Sequence, residues 1–65
     1  MRKIIEIGER FTKVGTPRPV WKVHRLVVDQ EGLRHFRLQD EQDPSKTILI
    51  SERALLNRRF FRPAP

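Results

Sequence analysis

Two groups of basic side chains are the residues in this sequence whose chemistry suggests a role. The first group lies on two neighbouring predicted strands, and the second follows Glu52 with no further acid. The first contains Lys22, Arg25, Arg34, His35 and Arg37, and the second contains Arg53, Arg58, Arg59 and Arg62. Guanidinium groups bind phosphate oxygens through paired hydrogen bonds, and an exposed Phe60 or Phe61 could stack on an unpaired base. These residues predict electrostatic contact with RNA or DNA phosphates at low sequence specificity. For the two phenylalanines the alternative is that both are buried.

Histidines and hydroxyl groups give weaker signals. His24 and His35 lie on the two arms of a predicted hairpin, but two imidazoles without cysteine supply too few ligands for a zinc site. The serines and threonines have no evident base partner for nucleophilic catalysis. The sequence therefore predicts no metal, no cofactor and no enzyme activity.

Composition sets the broad class. Fourteen Lys and Arg against eight Asp and Glu give a net charge of +6, which favours polyanionic partners. Ten of the fourteen cations are Arg, so a GC-rich coding genome is the alternative explanation. A chain of 65 residues predicts one domain. The absence of cysteine, of a long apolar run and of a signal peptide predicts a soluble, cytoplasmic protein with no membrane partner.

A central hairpin over residues 20–40 must position the first basic group. Apolar residues fill both arms, and the polar residues 29–32 form the turn. A β-bulge at His24 and Arg25 would keep the apolar residues before and after it on the same, inward side of the first arm. The predicted inward residues are Trp21, Val23, Leu26 and Val28 on the first arm and Phe36 and Leu38 on the second, with His35, Arg37 and Gln39 facing outward.

Shorter elements flank the hairpin. Residues 1–8 are either an edge strand, with Ile5 and Ile7 on one side, or an N-terminal extension. Residues 10–14 form a strand with Phe11 in the core, and residues 15–19 form a Pro/Gly loop. Residues 40–45 form an acidic turn, and residues 46–50 a strand with Ile48 and Ile50 in the core. Ser51 caps one or two helical turns in which Leu55 or Leu56 is buried and Asn57 is left-handed. Residues 58–62 form the last strand, and residues 63–65 a frayed tail.

The order of elements over residues 8–62 resembles the SH3-like small barrels, which include SH3, Tudor and KOW modules. This resemblance implies an all-β fold, a five-stranded small barrel with one short helical turn before the last strand. Four short segments also resemble a small uncharacterised family of bacterial proteins, and this resemblance implies no particular activity. The segments are Gly8-Glu9-Arg10-Phe11, Trp21-Lys22-Val23, Arg34-His35-Phe36-Arg37-Leu38 and Ile50-Ser51-Glu52-Arg53-Ala54-Leu55-Leu56. The chain lacks the acidic loop and the tyrosines of peptide-binding SH3 domains, which argues against polyproline binding.

A different class of function stays open at this point. A barrel edge and the apolar segment with Ile4, Ile5 and Ile7 could pair with a protein partner or with a second copy of the chain. The alternative to a nucleic-acid-binding module is therefore a protein-interaction or homodimerising module.

Overall fold

A computed structural model describes residues 4–65, which form a five-stranded antiparallel sheet and one short helix. The sheet order is β4-β3-β2-β1-β5. The elements are β1 (Arg10–Lys13), β2 (Thr16–Val28), β3 (Arg34–Asp40), β4 (Thr47–Ser51), α1 (Glu52–Leu55) and β5 (Phe61–Pro63). This arrangement confirms the predicted all-β class.

The central hairpin consists of β2 and β3, and its turn is built as its sequence predicts. The Asp29 carboxylate accepts hydrogen bonds from the backbone N–H groups of Glu31 and Leu33, at 2.8 and 2.9 Å. Gly32 has φ of 82°, a left-handed conformation that glycine adopts without steric penalty. Local turn chemistry therefore fixes the register of the two longest strands.

The predicted bulge is present in β2. Val23 lies opposite Leu38 and Arg25 lies opposite Arg37, so His24 is the extra residue. The shift places Leu26 opposite Phe36, on the core side of the sheet. Leu26 and Val28 thus face inward as predicted, but they are 38% and 53% exposed and do not join the buried core. The hairpin extends beyond the core here, because β1 pairs with β2 only as far as Lys22.

The core lies on one side of the sheet and is closed by α1. Its buried apolar side chains are Ile5, Phe11, Trp21, Val23, Phe36, Leu38, Leu55 and Phe61. Ile48 and Ile50 only partly join this core, because β4 is an edge strand. Of the two candidate leucines, Leu55 is fully buried and Leu56 packs at the margin.

Ser51 caps α1 as predicted, because its Oγ accepts a hydrogen bond of 3.1 Å from the Ala54 N–H. The predicted left-handed conformation of Asn57 is wrong, since within residues 4–65 only glycines have positive φ. Asn57 instead organises the following turn. Its side-chain oxygen accepts from the Arg59 N–H at 3.0 Å, and its carbonyl accepts from the Phe60 N–H at 2.9 Å.

The N-terminal segment differs from the predicted edge strand. Residues 4–7 have no strand pairing, and residues 1–3 lie outside the described part of the chain. Ile5 enters the core, whereas Ile7 is exposed, so their predicted common side is wrong. A turn explains the difference: the Glu9 N–H donates to the Glu6 carbonyl, and Gly8 has φ of 94°.

Two proline-containing segments were also predicted incorrectly. β2 already begins at Thr16, so residues 16–19 are extended and do not form a loop. The register between β1 and β2 shifts between the pairs Lys13–Thr16 and Phe11–Trp21. β5 starts at Phe61 rather than at residue 58. The tail is not frayed, because Pro63 lies opposite Phe11 and the Ala64 N–H donates to the Arg10 carbonyl at 2.8 Å.

The expected closed barrel is wrong, because the sheet is open, with β4 and β5 as its two edges. β5 has three residues, and α1 contacts both β4 and β5. The helix thus lies where barrel closure would have paired the two strands. A groove remains along this seam.

Candidate functional site

The sheet has an outer face, opposite the core, on which basic residues collect. Cross-strand pairs in an antiparallel sheet point to the same side. Val23 and Leu38 are buried, so the neighbouring pairs Lys22–Gln39, Arg25–Arg37 and Val27–His35 point outward. We call Lys22, Arg25, His35 and Arg37 the cationic face. The structure therefore brings together four of the five residues in the first predicted group.

Arg25 and Arg37 form the centre of the cationic face. Arg37 lies between Arg25 on β2 and Leu49 on β4, and its Nε is buried without a hydrogen-bond partner. Its Nη1 lies 3.4 Å from Thr47 Oγ1, a long contact to a neutral group. Arg25 is exposed. Neither guanidinium forms an ion pair with a carboxylate within residues 4–65.

Acidic side chains are nearly absent from the strands. Asp40 is the one acid in β1 to β5, and it is buried on the core side, opposite Trp21. Its carboxylate accepts from the Gln42 N–H at 2.9 Å. The other acids lie in turns, in α1 or before β1. The positive charge of the cationic face is therefore not neutralised within the sheet.

Glu41 is the carboxylate next to this face, and it forms an ion pair with Arg10. Arg10 Nε and Nη2 donate to the two carboxylate oxygens at 2.6 and 2.9 Å, and Nη1 donates to the Pro65 carbonyl at 2.6 Å. These hydrogen bonds hold the pKa of Glu41 below its ordinary value, with a smaller contribution from the charge of Lys22. They also raise the pKa of Arg10. No local pattern predicts this pair, because 31 positions separate its members.

Arg34 departs from the predicted basic group. It lies opposite Val28, on the other side of the sheet from Arg37. Its Nε is 3.1 Å from Glu52 Oε2, and its guanidinium lies 5.9 Å from the centre of the Phe36 ring. Strand alternation and α1 thus give Arg34 a structural contact instead of a place on the cationic face.

The second basic group divides among three positions. Arg53 lies on α1, Arg58 and Arg59 lie in the turn before β5, and Arg62 on β5 lies opposite Thr12. All four are exposed. They therefore form no single patch defined by one element, although Arg59 belongs to the groove at the seam.

The groove, which we call the seam groove, lies between the edges of the open sheet and has a volume of about 420 Å³. Its main lining residues are Lys13, Val14, Ile50, Ala54, Arg59 and Phe60. Phe60 is 55% exposed, whereas Phe61 is buried, so burial of both phenylalanines is wrong. Phe60 lies in the turn before β5 and not in the strand, so strand alternation does not explain its exposure.

Other chemistry has little support in the described residues. No three His, Cys, Asp or Glu side chains in residues 4–65 gather closely enough to hold a metal ion. His24 is exposed at the bulge, and His35 Nδ1 lies 3.2 Å from the Leu33 carbonyl. No helix in the same part of the chain is long and apolar enough to cross a membrane.

Comparison with known proteins finds no match for this chain among family models, curated proteins or solved structures. The cationic face and the seam groove are therefore the features that indicate a function.

Proposed function

We propose that this chain is a small, non-enzymatic, cytoplasmic binding module that contacts RNA or DNA phosphates through the cationic face. The observation that supports the proposal most is the Arg25–Arg37 pair, two arginines directly opposite each other with no carboxylate between them. Like charges at directly opposed positions destabilise a sheet. A bound phosphate would relieve this repulsion and accept hydrogen bonds from both guanidinium groups.

The expected binding is electrostatic and weakly specific. Phosphate contacts set position and affinity but do not read bases, and the outer face presents extended side chains rather than an element that enters a groove. Each neutralised phosphate contributes roughly 0.7 to 0.9 to the slope of log affinity against log salt. Contacts from Lys22, Arg25 and Arg37 would together give a slope of about 2 to 3.

We further propose that the fold is an open variant of the SH3-like small barrels. The strand order β4-β3-β2-β1-β5, the long β2 with its bulge and the helical turn before β5 support this relationship. The unpaired edges of β4 and β5 are the feature that departs from it.

The decisive experiment compares two exposed arginines of β2 that differ in their surroundings. Arg25 is on the cationic face, whereas Arg18 lies beside Asp40 and Glu41 in a separate groove. Arg25→Gln and Arg18→Gln remove the same charge, and binding of a fluorescein-labelled mixed-sequence RNA or DNA 12-mer is measured at several salt concentrations. We expect Arg25→Gln to reduce the salt slope by about 1 and Arg18→Gln to leave it nearly unchanged.

Amide-shift titration with the same oligonucleotides locates the contact surface. Shifts concentrated at Lys22, Arg25 and Arg37 would support the proposal. Equal losses in the two variants, or affinity that does not fall from low to moderate salt, would contradict it.

A protein-interaction module is the second candidate function. Exposed Ile4 and Ile7 favour it, as do the open edges of β4 and β5, although Ile5 is buried and unavailable to a partner. Size measurement in solution separates the two candidates. A dimer whose interface covers Arg25 and Arg37 would favour self-association, and a monomer would favour the nucleic-acid proposal.

A further inference from the structure

We propose that the seam groove holds an unpaired nucleobase against Phe60 and the adjoining phosphate at Lys13 and Arg59, so that the chain prefers single-stranded nucleic acid. This inference rests on the proposed function and deepens it, because it names the form of nucleic acid bound. It uses a surface separate from the cationic face.

The groove has the size and the mixed character of a ligand site. Its volume of about 420 Å³ lies within the roughly 300–1,000 Å³ typical of small-molecule sites, as do two other grooves of about 470 and 570 Å³, so its lining is what distinguishes it. Val14, Ile50 and Phe60 contribute apolar side chains to its lining, and Lys13 and Arg59 contribute two cations. None of its lining residues is acidic. An apolar wall with two cations suits a flat ring joined to an anion, which describes a nucleotide.

The backbone of Phe60 is held on both sides although its side chain is exposed. Its carbonyl accepts from the Val14 N–H at 2.9 Å, and its N–H donates to the Asn57 carbonyl at 2.9 Å. Asn57 also holds the N–H of Arg59 through its side-chain oxygen. The turn thus fixes the backbone of an aromatic residue and of the adjacent cation before any ligand binds. Preorganisation of this kind lowers the ordering cost of binding.

Single-stranded nucleic acid fits these features better than a duplex. Aromatic side chains stack on bases of any sequence when the bases are unpaired, while cations track the backbone. In a duplex the flat faces of the bases are covered by their neighbours. A slot in which Phe60 stacks on a base is therefore useful only with an unstacked strand.

The test separates the base contribution from the phosphate contribution. Affinity is measured for three labelled probes of one length: a mixed-sequence single strand, an abasic strand with the same phosphates, and a duplex of the same sequence. We expect the wild type to bind the single strand at least about fivefold more tightly than the abasic strand, and also more tightly than the duplex. Phe60→Leu, which keeps apolar bulk without a ring, should abolish this difference and leave abasic binding unchanged. Phe60→Trp should retain it.

Fluorescence of Trp21, the one tryptophan in the chain, monitors whether each variant is folded. If the wild type binds the base-containing and abasic strands with equal affinity and that affinity is still reduced by Arg25→Gln, the base-binding role of the groove is wrong. The proposed function then remains intact. Failure to bind any probe overturns both. Competition with a polyglutamate peptide tests for an acidic protein partner. If this peptide displaces the labelled single strand as effectively as the unlabelled strand does, and if Phe60→Leu weakens binding of the peptide, the inference is overturned and an acidic protein partner is indicated.

Discussion

Arg25 on β2 and Arg37 on β3 lie directly opposite each other on the outer face of the sheet. Residues in this relationship have Cβ atoms about 4.5–5.5 Å apart, so two positive side chains share one small area. Arg37 also has a buried Nε with no partner, so the pair gains no compensating hydrogen bond there. Local departures from favourable pairing are expected where a surface serves binding rather than stability.

The first prediction is that relieving this pair stabilises the free protein. Arg25→Thr removes the repulsion and introduces a residue with high strand propensity, so the free energy of unfolding should rise by about 0.2–1 kcal/mol at low salt. Urea denaturation followed by Trp21 fluorescence measures the change, and the gain should shrink as salt screens the charges.

Arg34→Thr is the matched control, because Arg34 is on the neighbouring strand and has a partner in Glu52. It should give no stabilisation. A gain at Arg34 as large as at Arg25 would show that strand propensity, and not charge, explains the effect.

The second prediction concerns the acid sensitivity of the Arg10–Glu41 pair. The pKa of Glu41 is lowered in the folded protein by its hydrogen bonds with Arg10. Its contribution to stability is therefore fully present above the unfolded pKa, about 4.3, and is lost as the pH falls through the lower folded pKa. Glu41→Gln should destabilise the protein at pH 6 and make stability less dependent on pH between about 5 and 3.

Glu31→Gln serves as the comparison for this experiment, since it makes the same chemical change in the β2–β3 turn. Urea midpoints at pH 6 and pH 3 give the measurement. If the midpoint of Glu41→Gln falls between these two pH values as much as that of the wild type, the pair has no such role.

Features that depend on neighbouring residues could be predicted from the sequence. The turn closed by Asp29 and Gly32, the bulge at His24 and the cap at Ser51 each follow from local backbone chemistry. The buried phase of Phe36 and Leu38 follows from strict alternation along β3.

Features that depend on the relative placement of distant elements could not be predicted. Leu26 faces the core side but is exposed. Strand alternation predicts which side of the sheet a side chain faces, but it does not predict how far the residues that cover that side extend. The partners of Arg10 and Arg34 lie on remote segments. The open seam depends on how α1 packs between two edges, which no local pattern records.

The third prediction tests the left-handed position in the hairpin turn. A Cβ at Gly32 would meet no atom within 4 Å apart from its two chain neighbours, so the φ of 82° is what opposes substitution. Gly32→Ala should cost about 1–2 kcal/mol of folding free energy. Gly32→Asn should cost less, because asparagine tolerates this conformation better. Denaturant melts of both variants provide the check, and equal losses would contradict the backbone explanation.

The fourth prediction distinguishes the two leucines of the helical turn. Leu55 is fully buried against β3, β4 and β5, whereas Leu56 lies at the margin of the core. Leu55→Ala should cost about 2–5 kcal/mol, a large share of the roughly 3–10 kcal/mol expected for a chain of this length. Leu56→Ala should cost clearly less. Similar losses in thermal and urea unfolding would show that α1 does not close the core through Leu55.

The fifth prediction concerns Asn57, which acts on the seam groove without lining it. Its side-chain oxygen accepts from the Arg59 N–H at 3.0 Å and so holds the turn that presents Phe60. Asn57→Ala should weaken binding of a base-containing single strand several-fold, because the turn must then be ordered on binding. Binding of the abasic strand should weaken less, because it loses only the ordered position of Arg59. Asn57→Ser, whose hydroxyl forms the same type of turn more weakly, should fall between alanine and wild type. Unchanged discrimination between the two strands in Asn57→Ala would show that the turn does not preorganise the groove.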